Sequence, residues 1–131
     1  MKPPAVLVVD DEEDIRWALT NILKPAGYQI NCAESGGTAL AQLKQRAYFI
    51  AFVDIKLPDQ DGFAIAAHIS QYYPHTSVVL VSGYYNKEDE AITEGLQKGH
   101  FTGFLAKPFS LHEVRSLARQ AFQQYEATEH V

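Results

Sequence analysis

Asp10, Asp11, Asp54, Ser82 and Lys107 are far apart in the chain, yet each falls just past a short apolar run. Asp10-Asp11 follows Ala5–Val9, Asp54 follows Phe49–Val53, Ser82 follows Ser77–Val81, and Lys107-Pro108 follows Phe104–Ala106. Brought together, three carboxylates, a hydroxyl and an ammonium suit a hard cation and a phosphoryl group. Adjacent acids such as Asp10 and Asp11 repel and need compensation. One reading is that they favour the start of a helix ahead of Ile15. The other is Mg2+, which prefers carboxylate oxygens and keeps several waters. Asp54 favours the cation, because a third acid then converges on the same place. Asp54 is also the candidate nucleophile, since a carboxylate can attack phosphorus and form an acyl phosphate. Lys107 and Ser82 would stabilise the charge that develops on the phosphoryl oxygens. Taken singly, Lys107 reads as a surface lysine and Ser82 as a turn serine before Gly83; their shared placement joins them.

That placement requires the apolar runs to be parallel strands of one sheet, with all the marked residues at its carboxyl edge, where open α/β sheets hold their sites. Five strand-like runs alternate with five helix-like segments, which implies a parallel sheet covered on both faces. The runs near residues 5–9, 49–54 and 77–82 are almost continuously apolar, as interior strands are. Tyr28–Cys32 alternates apolar and polar, as an edge strand does, which is compatible with strand order 2-1-3-4-5.

Helical spacing marks Ile15, Leu19, Ile22 and Ala26 in the first helix, which Pro25 should end or kink near Lys24. Leu40, Leu43 and Ala47 mark the second, and Ile65, Ala66 and Ile69 the third. Asn86 is the expected cap of the fourth, although Gly95 inside it costs roughly 1 kcal/mol against alanine. Ser110 and Glu113 form a capping box for the fifth, whose apolar stripe runs from Leu111 to Tyr125. Residues 1–125 read as one domain, and 126–131 as a frayed tail or the start of a linker.

The chain has 131 residues, ordinary globular composition and a net charge of −5, which argues against nucleic acid as a direct partner. The single cysteine, Cys32, is expected as a small buried hydrophobe in a reducing compartment. No apolar stretch is long enough to cross a bilayer, and Met1–Pro4 lacks the apolar segment of a signal peptide. The expected location is the cytoplasm. His68 and His75 lie outside any ligand cluster and read as surface residues.

The motifs Val8–Glu12, Val53–Pro58, Asp61-Gly62, Val81–Gly83 and Gly103–Phe109, taken together, resemble those of the receiver domain of bacterial two-component response regulators, along nearly the whole chain. The resemblance implies a flavodoxin-like, doubly wound five-stranded parallel sheet of order 2-1-3-4-5 with five helices on two faces. It implies that the cytoplasm is a bacterial one, and that Asp54 is the phosphoacceptor, charged by a sensor histidine kinase or a phosphotransfer protein. Asp11 and Asp54 would ligate Mg2+ (or Mn2+), Asp10 would act mainly through water, and the backbone carbonyl of Lys56 would be a further ligand. Lys107 would pair with the phosphoryl group across a cis Lys107-Pro108 bond, a minority state for such bonds in general. Ser82 and Phe104 would form a hydroxyl–aromatic switch, altering the surface of the fourth helix, last strand and fifth helix toward an output domain or a second copy. Phe104 lacks the hydroxyl of the tyrosine often found there. Such a chain is a self-phosphorylating and self-dephosphorylating switch rather than a turnover enzyme. Asp14–Leu19 resembles the matching segment of receivers attached to sigma-54-dependent transcription activators.

Two positions depart from the commonest patterns: Lys56, two residues after Asp54, and Tyr84, two after Ser82. In the family both border the route of water to the phosphoryl group, so they are expected to tune its lifetime unless both point to solvent. Three rival readings remain. A flavodoxin-like FMN carrier needs a phosphate loop where this chain has Asp10–Asp14. A haloacid-dehalogenase-like phosphatase usually has a second acid where this chain has Lys56. A pseudo-receiver would keep the fold and act by docking without phosphotransfer.

Overall fold

The computed structural model describes residues 3–129. Five parallel strands form one sheet in the order β2-β1-β3-β4-β5: β1 Ala5–Val9, β2 Gln29–Ala33, β3 Ile50–Asp54, β4 Ser77–Ser82 and β5 Gly103–Ala106. The helices are α1 Glu13–Leu23, α2 Gly36–Gln45, α3 Gly62–Tyr72, α4 Glu90–Lys98 and α5 Leu111–Glu129. This is the flavodoxin-like order anticipated from the run pattern.

Successive strand residues point to opposite faces, and both faces are buried. Leu7, Val9, Ala51, Val53 and Leu80 pack with Ala39, Leu43, Ile65, Ile69 and Ile92 of α2, α3 and α4. Val6, Val8, Phe52, Val79 and Val81 pack with Leu19, Leu23, Val114 and Ala118 of α1 and α5. Two-sided burial explains why the central runs are apolar without alternation.

The helix ends follow local chemistry. After Leu23 the chain tightens into a 3-10 turn, Lys24–Ala26, with Pro25 inside it and Gly27 at φ 98° as its cap. Ala26 therefore lies beyond the helical stripe assigned to it, and is exposed. Ala47 likewise lies outside α2 and is exposed. Asp89, not Asn86, is the N-cap residue of α4; Asn86 instead accepts the Glu88 amide in the turn before it (3.1 Å). The capping box is formed: the Glu113 amide donates to Ser110 Oγ and the Ser110 amide to Glu113 Oε1, both at 3.1 Å. α5 continues through Glu129, four residues past Tyr125; His130 and Val131 lie outside the described residues.

Cys32 is exposed, which corrects the expectation of burial. It sits opposite Val8, on the α1 side, but on the outermost strand. There its sulfur meets α1 at Thr20 Oγ1 (3.6 Å). His75 is exposed; His68 is half-buried against the rings of Tyr72 and Tyr73.

Candidate functional site

The carboxyl ends of β1, β3, β4 and β5 bring the marked residues to one edge of the sheet. Asp10, Asp11, Glu12 and Asp54 each place a carboxylate oxygen within 4.8 Å of the others. Asp10 and Asp54 are buried; Asp11 and Glu12 are exposed. Neither Asp10 nor Asp11 caps α1. The cap residue is Glu12, whose side chain makes no capping bond, and its amide donates to Asp10 Oδ1 (2.9 Å). The backbone of Asp10 is held from both sides: its amide donates to the Ala33 carbonyl (3.0 Å), and Arg16 Nη1 donates to the Asp10 carbonyl (2.9 Å).

Lys107 Nζ lies 3.0 Å from Glu12 Oε1, 3.1 Å from Asp10 Oδ2 and 3.6 Å from Asp54 Oδ2. One ammonium thus faces three carboxylates. Its approach to Asp10 Oδ2 is an ion pair without hydrogen-bond alignment, so that buried oxygen has no hydrogen bond among the described residues. Burial pulls the lysine down, but Glu12, Asp10 and Asp54 outweigh it and hold it above its usual value. Burial raises Asp10, against the Glu12 amide and Lys107. Burial, then the charge of Asp10, pushes Asp54 up to about 6, against Lys107 and the Lys56 amide. A buried oxygen without a bond and acids in excess of the single cation are what a divalent cation would correct, so the residues fit Mg2+.

Lys56 follows β3, its amide donating to Asp54 Oδ1 (3.3 Å). Its Nζ lies over the Tyr84 ring, 4.5 Å from the centroid, although both side chains are exposed. Gly62, which opens α3, is required there: a Cβ would strike the Asp54 carbonyl and the Ile55 backbone. Ser82 is buried, and its Oγ accepts the amides of Tyr84 and Tyr85, each at 2.9 Å. With its lone pairs so used, the hydroxyl keeps its proton to donate. The Lys107 amide donates to the Ser82 carbonyl (2.8 Å), and the Lys107-Pro108 bond is cis. Phe104 is 7% exposed and lies in the core on the α3–α4 side, so its ring is already inside.

The sequence reading did not anticipate Glu12 on Lys107, Arg16 on the Asp10 carbonyl, or the Lys56–Tyr84 contact. Only the last had a signal, the unusual residues two places after Asp54 and Ser82.

A parallel five-stranded sheet with clustered acids, an aspartate and a lysine at its carboxyl edge defines a receiver-type α/β domain. The chain belongs to the response regulator receiver domain family, whose model matches residues 6–119. It is 32% identical over 126 residues to the DNA-binding transcriptional regulator NtrC of Salmonella typhimurium, an alignment covering 96% of this chain and 26% of that protein. The regulatory protein AtoC of Escherichia coli is 30% identical over 118 residues, 90% of this chain and 25% of that protein. The chain thus spans about a quarter of these curated relatives. Among solved structures, NtrX of Brucella abortus matches with a TM-score of 0.86 and 30% identity, over 98% of this chain and 29% of that one. The chemotaxis response regulator CheY4 of Vibrio cholerae matches with a TM-score of 0.80 and 26% identity, over 92% of this chain and 99% of that one. No helix among the described residues is long and apolar enough to cross a membrane.

Proposed function

We propose that Asp54 accepts a phosphoryl group from a phosphohistidine of a sensor histidine kinase or phosphotransfer protein. The observation that carries this reading is a buried Asp54 facing Lys107 at 3.6 Å within an acidic cluster whose four carboxylates outnumber that one ammonium. An Asp54 carboxylate oxygen forms the new bond to phosphorus as the donor's N–P bond breaks, and the imidazole leaves with the electron pair and takes a proton. Asp10, Asp11, Asp54 and the Lys56 carbonyl would hold Mg2+ or Mn2+, which neutralises charge on the phosphoryl oxygens. Lys107 supplies positive charge beside Asp54. Ser82 donates its free hydroxyl proton to a phosphoryl oxygen. The chain acts as a switch rather than a turnover enzyme: hydrolysis of its own acyl phosphate resets it. Readout runs through the α4, β5 and α5 surface, with Ser82 and Phe104 as its inner contacts, toward an output domain or a second copy. The relatives support transcription control as the output.

Intact mass after incubation with Mg2+ and acetyl phosphate tests this directly. A gain of one phosphoryl group is expected, absent in Asp54→Asn and absent without Mg2+. No gain with Mg2+ bound would leave a docking module that keeps the fold without the transfer.

A further inference from the structure

The two segments that would supply oxygens to the cation are held on either side of one turn, at Ala33, which ends β2, and at Gly36 and Gly37, which open α2. The segment after β1 is tied there by the Asp10 amide, which donates to the Ala33 carbonyl (3.0 Å). The segment after β3 is a narrow hairpin. Lys56 and Asp61 face each other across an antiparallel bridge, and the Gly62 amide donates to the Ile55 carbonyl at 2.7 Å. Those contacts close its base. Asp59 ties its tip to α2. Asp59 Oδ1 accepts the Gly36 amide (2.9 Å) and Oδ2 accepts the Gly37 amide (3.0 Å). These are the first two residues of α2, whose amides have no partner within their own helix. Ser35, the helix's own cap, spends its hydroxyl on the Thr38 amide (3.2 Å). The packing is close: a Cβ on Gly36 would press on the Gln60 and Ile65 side chains. The two amides hold the Asp59 carboxyl below its usual value, as expected for a charge at a helix N-terminus.

We infer that Asp59 is a positioning residue for the cation site, clamping to α2 the hairpin whose Lys56 carbonyl would serve as a ligand. The inference rests on the receiver reading proposed above. With the tip held, both oxygen-bearing segments are referenced to one turn, and their separation is set before any ion arrives. With the tip free, the hairpin is anchored only at its base, and the carbonyl must be collected on binding. Prior placement of ligands removes that cost.

Calorimetric titration of Mg2+ into the full chain and into Asp59→Ala and Asp59→Asn tests the clamp. The dissociation constant is expected to rise roughly tenfold in Asp59→Ala, the lower end of what losing a ligand-orienting group costs. Asp59→Asn should rise less, because one of its two amide atoms still accepts. With acetyl phosphate, the half-saturating Mg2+ should rise by the same factor while the rate at saturating Mg2+ stays unchanged. A lower thermal midpoint with unaltered Mg2+ affinity would overturn the inference, leaving Asp59 as a helix cap. So would a drop in the saturated rate at unchanged half-saturation. If Asp59→Ala does not fold, Asp59→Asn carries the same comparison. Failure of the receiver reading looks different: the wild-type chain would take up neither Mg2+ nor a phosphoryl group.

Discussion

Asp54 is the residue on which the site's electrostatics converge. Its folded pKa of about 6 lies above the ordinary carboxyl value, with burial as the main cause. Between pH about 4 and 6 the folded chain keeps a proton that the unfolded chain has lost. Stability therefore falls as pH rises through that window, and the full penalty stands above it. In EDTA at pH 8, Asp54→Asn should be more stable than the parent by on the order of 2 kcal/mol, less whatever Lys107 loses with its partner. The gain should vanish below pH 4. Urea midpoints at the two pH values measure it, and no gain at pH 8 would contradict the account. Lys56 and Tyr84 make a second case. A cation over an exposed ring is worth about 0.5–1 kcal/mol, or two- to fivefold in a rate. If the pair shields the acyl phosphate from water, Lys56→Ala and Tyr84→Ala should each speed its hydrolysis by about that factor. The double variant should be no faster than the faster single. Unchanged dephosphorylation rates would show that the contact is a surface pair without that role.

At the scale of elements, α4 is the instructive helix. Its Gly95 runs against helix propensity, and the reason lies outside the helix. The Phe101 ring, from the segment leading into β5, fills the space where a Cβ would stand. Gly95→Ala should therefore destabilise by about 1–3 kcal/mol through overpacking, despite alanine's better propensity. Adding Phe101→Ala should make the glycine substitution far less costly than it is alone. Additive losses in urea unfolding would show that the ring is not the cause. Helix starts and stops were legible where a local pattern sets them, as at Ser110 with Glu113 and at Pro25. They were misread where a turn competes for the same side chain, as at Asn86, or where the apolar spacing outlasts the helix, as at Ala47. Cys32 was misread because edge position, not residue type, decides its exposure.

Across the whole molecule, the sheet order and the meeting of Asp10, Asp11, Asp54 and Lys107 were legible because each site residue directly follows the apolar run that positions it. Asp59 was not. Its partners Gly36 and Gly37 lie 23 and 22 residues away, and no periodicity links an acid in one loop to amides at a helix start. Arg16 on the Asp10 carbonyl and Glu12 on Lys107 escape for the same reason: they depend on where a folded backbone turns.

The buried charge of Asp54 also carries a thermal signature. Near pH 6 about half the molecules hold a proton on that carboxyl, and a cation can occupy the site only after it departs. Titrated with Mg2+ there, the chain should hand roughly half a proton to the buffer. The measured heat should then differ between phosphate and a buffer of large ionisation enthalpy, and agree at pH 8. Heats that match across buffers at both pH values would mean that this carboxyl is already bare at pH 6.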